Sequence, residues 1–250
     1  MNSAQWENFV KARKYFRITV KKITDELPDL KNIQQEFINS RTEASYIVKT
    51  PAVYNNALDD IKDCDEIKLI IVADNPGRRE QEIGRYLTGP SGKIAQKFFR
   101  DNPELGIDFT KNVIILNKTP IHTPRTIQLR ALCLIEKEKN TNHAVLSQVL
   151  EESQKKMAHI LLEFQKALLC PVWITGYSEM RRNGIFQAFT EKLICLYKEE
   201  KLLFKKLLIF RHFSMNQFTI NLNKQAFKEE KTAKSLERIG KAYRKRILGY

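Results

Sequence analysis

Three apolar runs in this chain break off in side chains that can do chemistry. Ile67 to Val72 is followed by Asp74-Asn75-Pro76-Gly77, Asn112 to Leu116 by Asn117, and Leu207 to Phe210 by Arg211-His212-Phe213-Ser214. An asparagine amide carries a donor and an acceptor side by side, and so can read the edge of a planar ligand. An imidazole changes charge near neutral pH. Taken singly, each also has an ordinary reading: asparagine after a strand commonly bonds its own backbone in a turn, and a lone histidine is commonly structural. Their value depends on whether one architecture gathers them.

The spacing supplies such an architecture. Uninterrupted β-branched runs read as strands buried on both faces of a parallel sheet, and a fourth run, Pro171 to Thr175, stops at Gly176. Between them lie segments of helical period: one opened by Pro90-Ser91-Gly92, with Ser91 as N-cap, then Ala144 to Leu169 and Ile185 to Tyr197. This alternation predicts an α/β fold, a three-layer αβα sandwich with a four-stranded, mainly parallel central sheet. In such a sheet the carboxyl ends share one edge, where ligands bind.

Before the sheet, residues 4 to 24 read as an amphipathic helix, and a second helix follows Pro28. Thr50-Pro51 reads as an N-cap with proline in the first turn, opening a short helix through Tyr54, Leu58 and Ile61. After the sheet, Lys224 to Arg246 carries nine basic and three acidic residues at helical spacing. It is either a solvated helix packed by one face or an arm that contacts nucleic acid. The expected organisation is a helical extension over 1–64 packed on the core, an α/β domain over 65–223, and a basic C-terminal helix over 224–250.

The 250 residues carry 43 Lys and Arg against 29 Asp and Glu, a net charge of +14, which points to a polyanionic partner. Four scattered cysteines, without a C-x-x-C pair, suggest neither a disulfide framework nor a metal site, and fit a reducing cytoplasm. No run approaches membrane-spanning length, and the start of the chain is charged, unlike a signal peptide. Gly89-Pro90-Ser91-Gly92-Lys93 is not a nucleotide-binding P-loop, since Leu87 and Ile94 stand where that motif needs Gly and Ser or Thr.

The combination and order of these motifs resemble the uracil-DNA glycosylase superfamily, from about Ile67 to Met215. VADNPGRREQEIGRYLTGPSGK looks like the family's first motif, closest to the thermophile-type branch: Pro76-Gly77, Glu80, Gly84, Gly89 and Ser91-Gly92 fit its spacing. Asn117 matches the asparagine that reads the base, and Arg211-His212-Phe213-Ser214 resembles the late His-Pro-Ser motif. The resemblance implies a DNA base-excision enzyme that hydrolyses the N-glycosidic bond of a flipped uracil or related deaminated base, without metal or cofactor. Asn75 and His212 would be catalytic, the first placing water and the second donating to the base O2. Asn117, Tyr86, Leu87, Pro76 and Gly77 would surround the base. Arg78, Arg79, Arg85, Ser91, Lys93 and Ser214 would hold the DNA backbone, and Phe213 or Met215 would wedge into the gap left by the flipped base.

The departures from the family pattern are specific. Asn75 stands where the most active branch has a carboxylate, Asp74 lies one residue too early and is expected to point elsewhere, and Leu87 occupies the usual place of the stacking ring, with Tyr86 beside it. Phe213 replaces a proline, and the iron–sulfur cysteines are absent. The alternative reading is a catalytically silent nucleic-acid-binding protein of the same fold. In either case a monomer is expected, with DNA as partner and no membrane.

Overall fold

A computed structural model describes residues 1–41, 45–138, 143–227 and 229–249. The chain enters through α1 (Ser3–Glu26), which starts on a capping box formed by Asn2 and Gln5 and buries a stripe of Phe9, Ala12, Phe16, Val20 and Ile23. That 3–4 spacing puts one face of the helix in the core. Helix α2 (Leu30–Arg41) follows.

Residues 50 to 55 then run extended rather than helical. The Pro51 carbonyl accepts from His122 N, and Val53 N donates to the Pro120 carbonyl. The backbone groups a helix would use are therefore committed to a distant loop, and Ala52 bridges Ile121. Only a short turn at Asn56–Asp59, capped by Asn55, is helical here.

The sheet has four strands, all parallel, in the order β2-β1-β3-β4. They are β1 (Leu69–Ala73), β2 (Val113–Asn117), β3 (Val172–Thr175) and β4 (Leu207–Phe210). Ile70, Ile71 and Val72 in β1 are fully buried, as a strand covered on both faces requires. Connections from β1 run outward to β2, and the chain then crosses back to place β3 on the other side of β1. The β1/β3 boundary is therefore the topological switch point, where open α/β sheets leave a crevice.

Helices flank both faces. On one, Trp173 of β3 packs 5.5 Å from Phe99 of α4 (Pro90–Asp101) and 5.8 Å from Phe218 of α9 (Gln217–Gln225). Helix α10 (Thr232–Leu248) lies against β4, where a Cβ added at Gly240 would sit 2.7 Å from Leu208. The other layer is built on α6 (His143–Leu168), against which α1, α5 (Gln128–Glu138) and α7 (Gln187–Tyr197) pack. Phe9 of α1 meets Phe164 of α6 edge-on at 5.3 Å. Short helices α3 (Arg78–Ile83) and α8 (Lys201–Lys205) complete the order.

Two helix boundaries differ from the sequence reading. Helix α4 is capped by Gly89, not Ser91, because the Glu80 carboxylate already receives Gly89 N. The basic C-terminal segment is split, with α9 ending at Gln225 and α10 starting at Thr232. Between them Glu230 takes Ser235 Oγ and Arg238 Nη2, a knuckle that turns the chain. Arg244 is likewise committed, donating to the carbonyls of Phe204 and Leu207. Among the described residues, no helix is long and apolar enough to cross a membrane.

Candidate functional site

The carboxyl edge of the sheet opens into a cavity of about 1390 Å³ lined by Asp74, Asn75, Asn117, Gly176, Tyr177, Arg211 and His212, among others. Each strand end delivers its own piece: β1 gives Asp74 and Asn75, β2 gives Asn117, β3 leads into Gly176 and Tyr177, and β4 into Arg211 and His212. The three polar strand ends read from the sequence therefore share one cleft.

Asn117 is 2 % exposed, lines the cavity, and its carboxamide makes no hydrogen bond to another described residue. Its amide is not sealed in the core but open to the cleft. One held open on a cavity has its donor and acceptor free for a ligand.

Asn75 is oriented by its own amide nitrogen, which donates to the Thr123 hydroxyl at 3.0 Å and to the Thr123 and Pro76 carbonyls at 3.2 Å. That fixes the flip of the amide and leaves Oδ1 as the atom available to the cavity.

His212 accepts at Nδ1 from the Ser214 backbone N–H at 2.9 Å. The neutral ring therefore carries its proton on Nε2. Burial pushes the imidazole pKa below its ordinary value, opposed by the nearby Asp74 carboxylate and helped to a smaller extent by the Lys118 charge, so that the neutral donor form persists at lower pH than usual.

Asp74 also faces the cavity, contrary to the expectation that it points elsewhere. Strand β1 ends at Ala73, so the alternation of a pleated strand does not reach it. Its carboxylate receives Lys118 Nζ at 2.5 Å and Thr126 Oγ1 at 3.3 Å. Lys118 is fully buried, donates also to the Thr175 carbonyl, and lies 5.0 Å from the Phe186 ring centroid. Burial lowers its pKa, an effect the Asp74 carboxylate opposes. Gly176 has to be glycine for this arrangement: its φ is +78°, and a Cβ would come 2.4 Å from Asp74 Oδ1.

Behind the Asn75 wall sits a second buried network. His122 is fully buried, with Nδ1 2.8 Å from the Pro76 carbonyl and Nε2 2.7 Å from Tyr46 Oη. The carbonyl can only accept, so Nδ1 carries the proton and the tyrosine donates to Nε2. Burial drives the His122 pKa down to about 4. Arg78 lies 4.8 Å over the Tyr46 ring.

Other sequence-assigned residues divide between cavity and core. Gly77, Arg78, Arg79, Leu87, Ser91, Ser214 and Met215 line the cavity. Pro76 is buried behind it, turned to His122. Arg85 pairs with Asp60 on the surface, and Lys93 is exposed on α4; neither lines the cleft.

The two aromatic assignments are corrected. Tyr86 is 3 % exposed, donates its hydroxyl to the Val53 carbonyl and packs beside Phe16, so its ring cannot stack on a ligand. Phe213 is fully buried, stacked 4.4 Å from Phe218. It holds the loop to the core, whereas Met215 is 83 % exposed at the rim.

The sequence reading missed Lys118, Thr126, Tyr177, Arg125 and Arg181, and expected Asp74 to point elsewhere. Position directly after Asn117 was the available signal for Lys118, and proximity to Gly176 for Tyr177. Among the described residues, no three His, Cys, Asp or Glu side chains converge on a metal-binding position. No protein-family model matches the chain, and no characterised protein matches it in sequence.

Proposed function

We propose that the chain is a DNA glycosylase that hydrolyses the N-glycosidic bond of a flipped uracil or related deaminated base. The observation that carries this reading is the unpartnered carboxamide of the mostly buried Asn117, open to the same cleft as His212 and Asn75. An enzyme that acts on a base inside DNA must draw it into a pocket and read its edge. The Asn117 amide complements the adjacent acceptor and N–H of uracil, and mismatches cytosine, whose pattern there is inverted.

Bond cleavage sends the electron pair of the C1′–N1 bond to the base, so charge grows on its O2. The Nε2–H of neutral His212 is the donor for that charge. Water attacks C1′ from a position set by Asn75 Oδ1 and gives up a proton that ends on the departing base anion, while the Asp74 carboxylate stabilises the positive charge developing on the sugar. Arg78, Arg79, Ser91 and Ser214 at the rim suit flanking phosphates, and Met215 suits the role of wedge.

The deciding experiment is incubation with single- and double-stranded oligonucleotides carrying uracil, hypoxanthine, xanthine or a T:G mismatch, followed by alkali. Strand scission at the modified base is expected; none on any substrate sinks the proposal. One observation favours a second reading, a silent nucleic-acid-binding protein: Tyr86 is turned into the core, so the first motif offers no ring to hold the base. That reading expects salt-sensitive binding indifferent to uracil, and fails if affinity rises sharply at uracil or an abasic site.

A further inference from the structure

We infer that the segment leading from α2 toward the sheet is a working part of the cleft, with Tyr46 the residue that positions Arg78 for an anionic group of the ligand. The inference rests on the reading of the cleft as a nucleic-acid site, but not on catalysis. Residues 45–50 lie outside the stretch from Ile67 to Met215 that carries the family resemblance. Nothing in their sequence announces a role at the cleft.

The segment is tied down along its length. Gln35 of α2 accepts from Val48 N at 2.9 Å and donates to the Tyr46 carbonyl at 2.8 Å. From the other side, Gln81 of α3 accepts from Lys49 N at 2.7 Å and from Thr50 N at 3.2 Å, and donates to the Ile47 carbonyl at 3.3 Å. Two side chains thus satisfy backbone groups that have no helix or sheet to join. They lay the segment against α3, the helix that begins with Arg78.

Tyr46 is engaged at both its edge and its face. Its hydroxyl donates to His122 Nε2 at 2.7 Å, and burial pushes the phenol pKa up, which keeps it a donor. The ring face carries the Arg78 guanidinium 4.8 Å from its centroid. A ring face can hold a cation without taking any of its N–H groups. Arg78 is exposed, lines the cavity, and makes no hydrogen bond or ion pair with a described residue. Its donors are therefore placed but not used.

The neighbouring carboxylates are drawn away from it. Glu82 stands four residues after Arg78 on α3, the spacing at which a helix pairs opposite charges. Its carboxylate lies 3.5 Å from Lys49 Nζ of the segment instead. Glu80 has its oxygens on the Gly77 and Gly89 amides. Packing accounts for the hydroxyl bond to His122, but not for a guanidinium steered by a ring and left without a counter-charge. That is the state in which an arginine takes a phosphate.

The test is fluorescence anisotropy with a labelled, uracil-free duplex oligonucleotide over a salt series. Tyr46→Leu should lower the slope of log affinity against log salt by about one, the loss of one phosphate contact. Tyr46→Phe lacks the same hydroxyl but keeps the ring, and should restore the parent slope. Arg78→Leu should lower the slope as Tyr46→Leu does, and the double variant should lower it no further. A parent slope in Tyr46→Leu overturns the inference, as does a double variant that falls below Arg78→Leu alone. If Tyr46→Leu does not fold, NMR of the parent decides: the Arg78 side-chain signals, displaced by the Tyr46 ring current, should move on addition of the oligonucleotide. Unmoved signals overturn the inference. A parent that binds no DNA retires the nucleic-acid reading and this inference together, whereas a parent that binds with Tyr46 indifferent retires this inference alone.

Discussion

Lys118 Nζ lies 2.5 Å from Asp74 Oδ1, a fully buried cation tying the end of β2 to the end of β1 at the floor of the cleft. Removing one member of such a pair strands the other's charge or hydrogen-bonding groups in a poorly solvated place. Lys118→Met and Asp74→Asn are each expected to cost about 3–5 kcal/mol of stability in urea unfolding. The double variant should recover most of that loss. If the two single losses simply add, the pair is not coupled. If the cleft excises a base as proposed, the same double variant separates fold from chemistry: with stability restored, excision should remain slow, because the carboxylate proposed to face the sugar is gone.

His122 makes stability depend on acid. Unfolded, its imidazole takes up a proton near 6.5; folded, only near 4. Between those values the unfolded chain binds more protons, so stability is present above the unfolded pKa and is lost as pH falls toward the folded one. The span is worth roughly 3 kcal/mol. His212 shifts in the same direction, so the measurement is a difference. From about pH 7 to about pH 4.5, His122→Asn should lose stability less steeply than the parent. Parallel curves would remove His122 from the effect.

Phe213 and Met215 are two residues apart and should behave oppositely. Phe213→Ala empties a fully buried site beside Phe218 and is expected to cost about 3–5 kcal/mol. Met215→Ala, at 83 % exposure, should leave thermal unfolding nearly unchanged and weaken only nucleic-acid binding or excision. A stable Phe213→Ala protein with impaired activity would return the wedge to Phe213.

If the cleft excises a base, the three polar strand ends should fail in different ways. Asn75→Ala and His212→Ala should each raise the barrier by about 2–4 kcal/mol while sparing DNA binding, read from single-turnover excision and anisotropy. Asn117→Asp should erode the preference for uracil over cytosine. An unchanged preference would remove Asn117 from base reading, and full activity in both alanine variants would move the chemistry elsewhere.

The sheet was legible because runs such as Ile70, Ile71 and Val72 are apolar on both faces, too short for a helix and bounded by polar and turn residues. Its polar ends were legible for the same reason, since a buried run that stops must stop somewhere. Side-chain direction beyond those ends was not. Period-two alternation describes a strand, and Asp74 lies one residue past the last one. Lys118 reads as surface until Asp74, Thr175 and Phe186 are seen around it. Tyr86 and Phe213 offered rings of the right type, but the Val53 carbonyl, distant in sequence, and Phe218, on the helix that follows, decided where those rings lie. Thr50-Pro51 has good local helix-start chemistry, and lost to backbone bonds with residues 120 to 122.

Glu80 receives the amide of Gly77 on one oxygen and that of Gly89 on the other. A single carboxylate therefore fastens both ends of the stretch from Gly77 to Gly89 and acts as the clasp of a closed ring. Arg78, Arg79 and Leu87, carried on that ring, face the cleft as one plate rather than as independent loops. Opening the clasp would release both ends in one event, so the plate holds its shape or loses it as a whole.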